Sequence, residues 1–167
     1  FTSFRSVADK TITALYKELS DNMLRNTLIA DDVIEALRTV RVVSTDERAA
    51  TLHWRVADKY GRQIVIEYIN GIPMVYDNRL GVLTNSPSYD WHITNLNNYI
   101  NLHSGAIEKQ TMGDVTLNTF GRGSAMLGLP GDMTPPSRFI RAAFYQTSAP
   151  VLETSQQAVE QAFVIME

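Results

Sequence analysis

The 167-residue sequence contains no cysteine, which excludes disulfide bonds, thiolate metal ligands and a cysteine nucleophile from these residues. It has only three histidines, whose spacing gives neither an i, i+4 pair nor an H-E-x-x-H motif, so no zinc site is expected. No apolar run approaches the roughly 20 residues that a membrane-spanning helix needs. Fifteen basic and eighteen acidic residues give a net charge of −3, which argues against nucleic-acid and anionic-membrane partners, because both attract clustered positive charge.

Helices are predicted in the first part of the chain. Over residues 4–26, apolar side chains recur three and four positions apart, as on one face of a helix. A second helix is predicted to begin at Asp31 or Asp32, where acidic side chains favour the positive end of the helix dipole, and to run through Leu37. The composition, 44% hydrophobic and 20% charged, is that of a folded domain of ordinary size.

An antiparallel meander is predicted next. Apolar and polar residues alternate over residues 51–57, and a β-branched run covers residues 63–69. Asn70-Gly71 follows at once, and this pair favours a tight hairpin because both residues tolerate a positive φ. Residues 72–76 are the expected return strand.

Short elements and a long loop are expected in the following region. Residues 80–87 are interpreted as a short strand ended by a proline, and residues 91–102 as a helix. Residues 103–133 hold six of the nine glycines without a clear period, which predicts a loop with at most short strands. A loop of that length in a compact domain usually has a function.

Two helices are predicted to close the chain. Thr134 is expected to cap the first of them, with Pro135 in the first turn, where no hydrogen-bond donor is required. The second is predicted from Thr154, where T-S-Q-Q matches a capping box. The elements together indicate an α+β fold with antiparallel strands. Because the sequence opens on Phe1 and closes on an apolar run without a cap, we expect it to be an interior piece of a longer protein.

No generic catalytic motif is complete in this sequence, but two longer stretches are distinctive enough to compare with a known family. One is YDNRLGVLTNSPSYDWH at residues 76–92, and the other is GLPGDMTPPSRFIRA at residues 128–142. In this order they resemble the choloylglycine hydrolase family, which comprises bile salt hydrolases and penicillin V acylases. The resemblance covers the chain from about Leu52 onward.

The resemblance implies a four-layer αββα N-terminal-nucleophile hydrolase fold, of which this chain holds a partial single domain, residues 1–167. It implies a cysteine nucleophile at the mature N-terminus, whose α-amine acts as the base. It also implies that Asn85, in the T-N-S-P motif, donates its amide to the oxyanion hole and that Arg138, in the P-S-R-F motif, lies beside the nucleophile. Without the resemblance, Asn85 is a turn residue and Arg138 a solvated surface arginine, as Arg141 is expected to be.

The expected activity is hydrolysis of a linear amide in a conjugated bile salt or in penicillin V. Acyl-homoserine lactones are a third substrate class, and a nucleophile-less binding protein on the same fold is the alternative from another functional class. No metal or organic cofactor is implied. The resemblance suggests a homotetramer, and an extended segment such as residues 103–133 is expected to serve in its assembly. Cytoplasmic and periplasmic locations both stay open.

Overall fold

The computed structural model describes residues 30–39 and 52–166. The chain divides into two compact units, residues 1–79 and residues 80–167, and each is described by itself. The helix predicted over residues 4–26 lies outside the described residues. Among the helices that the structure does describe, none combines the length and apolar character needed to cross a membrane.

The first unit contains a three-stranded antiparallel sheet in the order β1–β2–β3. The strands are β1 (His53–Ala57), β2 (Gln63–Ile69) and β3 (Ile72–Asp77). Ile69 pairs with Ile72, which leaves a two-residue turn in which Asn70 and Gly71 have φ values of 52° and 79°. These positive φ values match the right-handed twist of the flanking strands. The predicted meander is confirmed.

One helix packs on this sheet. Helix α1 (Ala30–Thr39) carries Asp31 and Asp32 in its first turn, as predicted. Ala30 and Val33 are buried against Ile64 and Ile66, which are alternate residues of β2 and so share a sheet face. On the opposite face of β2, the buried Glu67 carboxylate lies 3.0 Å from the Nδ1 of its cross-strand partner His53.

The second unit is built from helices joined by long loops. Its elements are α2 (Tyr89–Asn95), a 3-10 helix (Leu96–Tyr99), β4 (Gln110–Met112), β5 (Val115–Leu117), a 3-10 turn (Ser124–Met126), α3 (Pro135–Ser148) and α4 (Ser155–Met166). Strands β4 and β5 form a small antiparallel hairpin within the predicted loop region. The fold class is therefore α+β with antiparallel sheets, as expected.

Phe139 of α3 is the centre of packing in this unit. Its side chain is fully buried, and its ring contacts Tyr89 edge-on, with ring centroids 6.0 Å apart. It also stacks on the ring of His92 at 4.6 Å with an interplanar angle of 6°. Helices α2 and α3 are thus held together through one aromatic side chain, which fixes the loops that precede each of them.

Two sequence predictions in this unit need correction. Residues 80–87 do not form a strand: they have no ladder partner among the described residues, and Gly81 has a φ of 67°, outside the extended region. The helix expected over residues 91–102 begins two residues earlier and tightens into the 3-10 helix after Asn95. By contrast, the capping box is confirmed. The backbone N–H of Gln157 donates to Thr154 Oγ1, and the backbone N–H of Thr154 donates to Gln157 Oε1.

Candidate functional site

Asn85 and Arg138 meet within the second unit although 53 positions separate them in the sequence. The Arg138 Nη2 donates to the Asn85 Oδ1 at 2.9 Å. Asn85 lies exposed in the loop that leads into α2, and Arg138 lies in the first turn of α3. The two residues that the sequence singles out are therefore direct neighbours.

This contact fixes the orientation of the Asn85 amide. A guanidinium group carries only donors, so the atom facing it must be the carbonyl oxygen of the side chain. The Asn85 Nδ2 consequently faces away from Arg138. It has no hydrogen-bond partner within residues 30–39 and 52–166, so both of its N–H groups are available to an external acceptor.

The backbone around Asn85 is held by two further side chains. The His92 Nε2 lies 2.8 Å from the Asn85 carbonyl oxygen, and because a carbonyl only accepts, the ring must donate. Thr84 Oγ1 donates to the Pro135 carbonyl oxygen at 3.2 Å, which ties the loop to the first residue of α3. These bonds replace the strand ladder that the sequence led us to expect for this segment.

Arg138 is positioned by its own helix start. Its Nε donates to the Met133 carbonyl oxygen at 3.1 Å, which leaves Nη2 directed at Asn85. Over the described part of the chain, no carboxylate pairs with Arg138, so its positive charge is not neutralised locally. An anion placed beside Asn85 would therefore meet a neutral donor and an uncompensated cation.

The start of α3 is held by hydrogen bonds to the Asp132 carboxylate and not by a side-chain cap from Thr134. Thr134 occupies the N-cap position, but its hydroxyl donates to Asp132 Oδ1 and makes no bond to a helix N–H, so the predicted capping bond is wrong. Asp132 accepts further bonds from the Thr134 N–H at 2.9 Å and from Ser137 Oγ at 2.6 Å. The Ser137 and Thr134 hydrogen bonds lower the pKa of Asp132 to about 2.

Arg141 is not the solvated surface residue that the sequence suggested. Its Nη1 donates to the carbonyl oxygens of Pro130 at 2.8 Å and Asp132 at 2.5 Å. One guanidinium therefore bridges two carbonyls of the loop that enters α3. This loop carries Met133, whose carbonyl orients Arg138, so Arg141 supports the site from one helical turn away.

The sequence singled out Asn85 and Arg138 as candidate site residues but did not single out His92. The missed signal is positional: His92 lies in the first turns of a helix that begins at Tyr89, so its side chain is able to reach back to the loop before that helix. No group of three or more His, Asp or Glu side chains arranged to hold a metal ion occurs among residues 30–39 and 52–166.

Comparison with known proteins identifies the family. A sequence model of the linear amide C–N hydrolases of the choloylglycine hydrolase family matches residues 1–167. The chain is 43% identical over 126 residues to a bile salt hydrolase/transferase of Clostridium perfringens, covering 73% of this chain and 38% of that protein. It is 37% identical over 141 residues to a conjugated bile acid hydrolase of Lactobacillus gasseri, covering 81% of this chain and 44% of that protein. A penicillin V acylase of Pectobacterium atrosepticum is 30% identical over 130 residues, covering 74% of this chain and 29% of that protein.

Solved structures show the same relationship. A crystal structure of a conjugated bile acid hydrolase variant from Clostridium perfringens matches with a TM-score of 0.63 at 34% identity, over 84% of this chain and 45% of that one. The chain spans less than half the length of these relatives. The expected α+β fold is confirmed by this likeness. With a family model that matches all 167 residues and the T-N-S-P and P-S-R-F motifs in contact, the chain belongs to the choloylglycine hydrolase family.

Proposed function

We propose that this chain contributes an oxyanion donor, Asn85, and a cationic side chain, Arg138, to a hydrolase of linear amide bonds. The observation that carries the proposal is the 2.9 Å hydrogen bond from Arg138 to the Asn85 side-chain oxygen. Because the Asn85 Nδ2 has no partner among the described residues, it is able to donate to a substrate. An amide N–H held in this way stabilises negative charge that develops on a carbonyl oxygen during acyl transfer.

The chemistry follows from the family's cysteine mechanism. The thiol passes its proton to a base and the sulfur attacks the amide carbon, which places the carbonyl electrons on the oxygen. Asn85 Nδ2 then donates to this oxyanion. When the tetrahedral intermediate collapses, the C–N bond breaks and the amine leaves with a proton. Water hydrolyses the remaining thioester, releasing the acid and restoring the thiol.

The nucleophile in this proposal comes from outside the 167 residues, because these contain no cysteine. The family's nucleophile is an N-terminal cysteine, and the chain spans only 38% of the length of its Clostridium perfringens relative. Arg138 would favour the thiolate form of that cysteine, since a neighbouring cation lowers the pKa of a thiol. No metal or organic cofactor takes part.

Conjugated bile salts are the proposed substrate class, with penicillin V second. Identity to the bile salt and bile acid hydrolases, 43% and 37%, exceeds the 30% identity to the penicillin V acylase. Acyl-homoserine lactones, which also contain a linear amide, remain the third class to assay.

The test uses the intact gene product. We expect it to release the amino acid from a glycine-conjugated bile salt, and to lose this activity after alkylation with iodoacetamide. Intact-mass measurement and peptide mapping should locate a single label on an N-terminal cysteine. Penicillin V and an acyl-homoserine lactone, assayed in parallel, rank the substrate classes.

Two results would contradict the proposal in different ways. If the intact protein has no N-terminal cysteine and hydrolyses none of the three amides, the fold serves binding rather than catalysis. If a labelled cysteine is present but an acyl-homoserine lactone is cleaved much faster than the bile salt, the mechanism stands and the substrate assignment is wrong.

We also propose that residues 103–133 mediate assembly with further copies of this chain, in the homotetramer that the family resemblance implies. The hairpin β4–β5 and the loop after it expose Met112, Val115, Phe120 and Leu127, and Phe120 is fully exposed. Several exposed apolar side chains within one segment favour its burial in an interface.

Replacing Phe120 with serine is therefore expected to lower the oligomeric state, because it removes the most exposed apolar side chain of this segment. Sedimentation velocity of the intact protein measures the change. Tyr60→Ser, at an exposed position of the first unit, is the matched control and should sediment like the wild type. A tetramer that withstands both substitutions would count against this surface.

A further inference from the structure

His92 is buried more completely than its neighbours along α2, although it is a polar residue. Its side chain has no solvent exposure, whereas Trp91 and Ile93 on either side are exposed. The ring lies between Phe139, on which it stacks, and the loop that carries Asn85. Burying an imidazole is costly unless its polar atoms are satisfied, and the partner it has is the Asn85 carbonyl oxygen at 2.8 Å.

We propose that His92 is a positioning residue for Asn85 in amide hydrolysis, an inference that rests on the proposed function. His92 holds the Asn85 backbone while Arg138 holds the end of its side chain. With both ends fixed, the Nδ2 donor is held in one place before the substrate arrives. Preorganisation of this kind is what makes an oxyanion donor effective, because no reorganisation is needed as charge develops.

The hydrogen bond to Asn85 shows which nitrogen of the His92 ring carries a hydrogen in this role. The Nε2 must carry a hydrogen, because the Asn85 carbonyl only accepts. Thr84 Oγ1 lies 3.4 Å from the same nitrogen and uses its own hydrogen for the Pro135 carbonyl oxygen. The Nδ1 has no partner within the described residues, so the ring acts on this loop through Nε2 alone.

The competing role for His92 is packing. Its ring stacks on Phe139, and a flat ring of similar size would preserve that contact without any hydrogen bond. The two roles therefore make opposite predictions for two substitutions. His92→Phe keeps a flat ring and removes the donor. His92→Gln keeps an amide donor and removes the ring.

In the intact protein, we expect His92→Phe to lower kcat about tenfold, since the Asn85 carbonyl loses its buried donor. KM should change less than about threefold, because Asn85 acts on the transition state rather than on the bound substrate. His92→Gln should recover most of the lost kcat. Asn98→Ala, which changes an exposed residue of the same unit outside residues 103–133, is the control and should match the wild type. Wild-type kcat in His92→Phe with a loss in His92→Gln would show packing and overturn the proposal.

A double-mutant cycle tests whether His92 acts through Asn85. In the Asn85→Ala background the donor is gone, so His92→Phe should cause no further loss of kcat. Independent, multiplying losses would mean that His92 supports catalysis by some other route, and the positioning role would be wrong.

A structural readout separates this proposal from the proposed function. In crystal structures of the intact protein, the Asn85 Oδ1 to Arg138 Nη2 contact should be present in the wild type and in His92→Gln but displaced in His92→Phe. If the wild type hydrolyses no amide, the proposed function fails while this comparison still decides the positioning role. An Asn85 side chain that occupies the same place in all three proteins would overturn it.

Discussion

Replacing Asn85 with alanine in the intact protein is expected to lower kcat for amide hydrolysis about 100- to 1,000-fold, as the loss of one oxyanion donor typically does. The side chain is exposed and makes one hydrogen bond among the described residues, to Arg138, so little folding stability depends on it. KM should change much less than kcat, because the donor acts on charge that exists only in the transition state. Steady-state kinetics with a glycine-conjugated bile salt, together with thermal denaturation, measure both quantities.

Two further variants sharpen this test. Asn85→Asp is nearly the same size and would still meet Arg138, but an ionised carboxylate only accepts hydrogen bonds, so it should be at least as inactive as the alanine variant. Asn98→Ala removes an exposed amide that hydrogen-bonds only to Asn95 in the described structure, and it should leave kcat unchanged. Activity within about threefold of the wild type in Asn85→Ala would exclude Asn85 from the oxyanion hole.

The second large effect is expected for Arg138→Ala. This variant loses a hydrogen bond from a charged donor to Asn85, and such bonds contribute about 1.5–3 kcal/mol. If that contribution is realised in the transition state, kcat/KM should fall about 10- to 150-fold. The variant also loses the cation beside the proposed thiolate. The pKa of the thiol should then rise, so the acidic limb of the kcat/KM profile should move to higher pH.

Arg138→Lys separates the two contributions. A lysine keeps the positive charge but not the planar fork of donors, so the acidic limb should stay near its wild-type position while kcat falls. Lys59→Ala, at an exposed cationic residue outside residues 103–133, serves as the control for the loss of one positive charge. If Arg138→Ala leaves the pH profile where it is, Arg138 has no influence on the nucleophile.

Local rules of chain conformation predicted much of the fold. Asn70-Gly71 identified the hairpin because few residue pairs accept positive φ at both positions. Thr154 and Gln157 identified the start of α4 because their reciprocal hydrogen bonds need only a fixed spacing along the chain. Each of these features is decided within a few residues, so neighbouring sequence was sufficient.

Features decided by distant contacts were harder to predict. Residues 80–87 have the composition of a strand, but they are held by His92 and by the start of α3 instead of by a neighbouring strand. Thr134 has the right residue type and position for a helix cap, but its hydroxyl donates a hydrogen bond to Asp132, two residues earlier, instead of accepting one from the helix. In both cases, the local structure depends on which of several possible hydrogen-bond partners is bound. The pattern of polar and apolar residues along the chain does not determine that choice.

The candidate site lies between these extremes. Periodicity and composition gave no reason to pair Asn85 with Arg138, and the two motifs were linked only by family resemblance. The sequence did not single out His92, because a lone histidine on a short helix is more often structural. Its relation to Asn85 appears only when α2 is placed against α3 through Phe139.

The bond from Arg138 to Asn85 closes a loop of 53 residues. Ordering so long a loop costs conformational entropy that one hydrogen bond does not offset, so the bond depends on the packing of Phe139 against Tyr89 and His92. A partly folded chain in which α3 has not yet docked would hold the asparagine and the arginine apart. Regain of hydrolysis during refolding of the intact protein should therefore not precede the docking of α3 against α2.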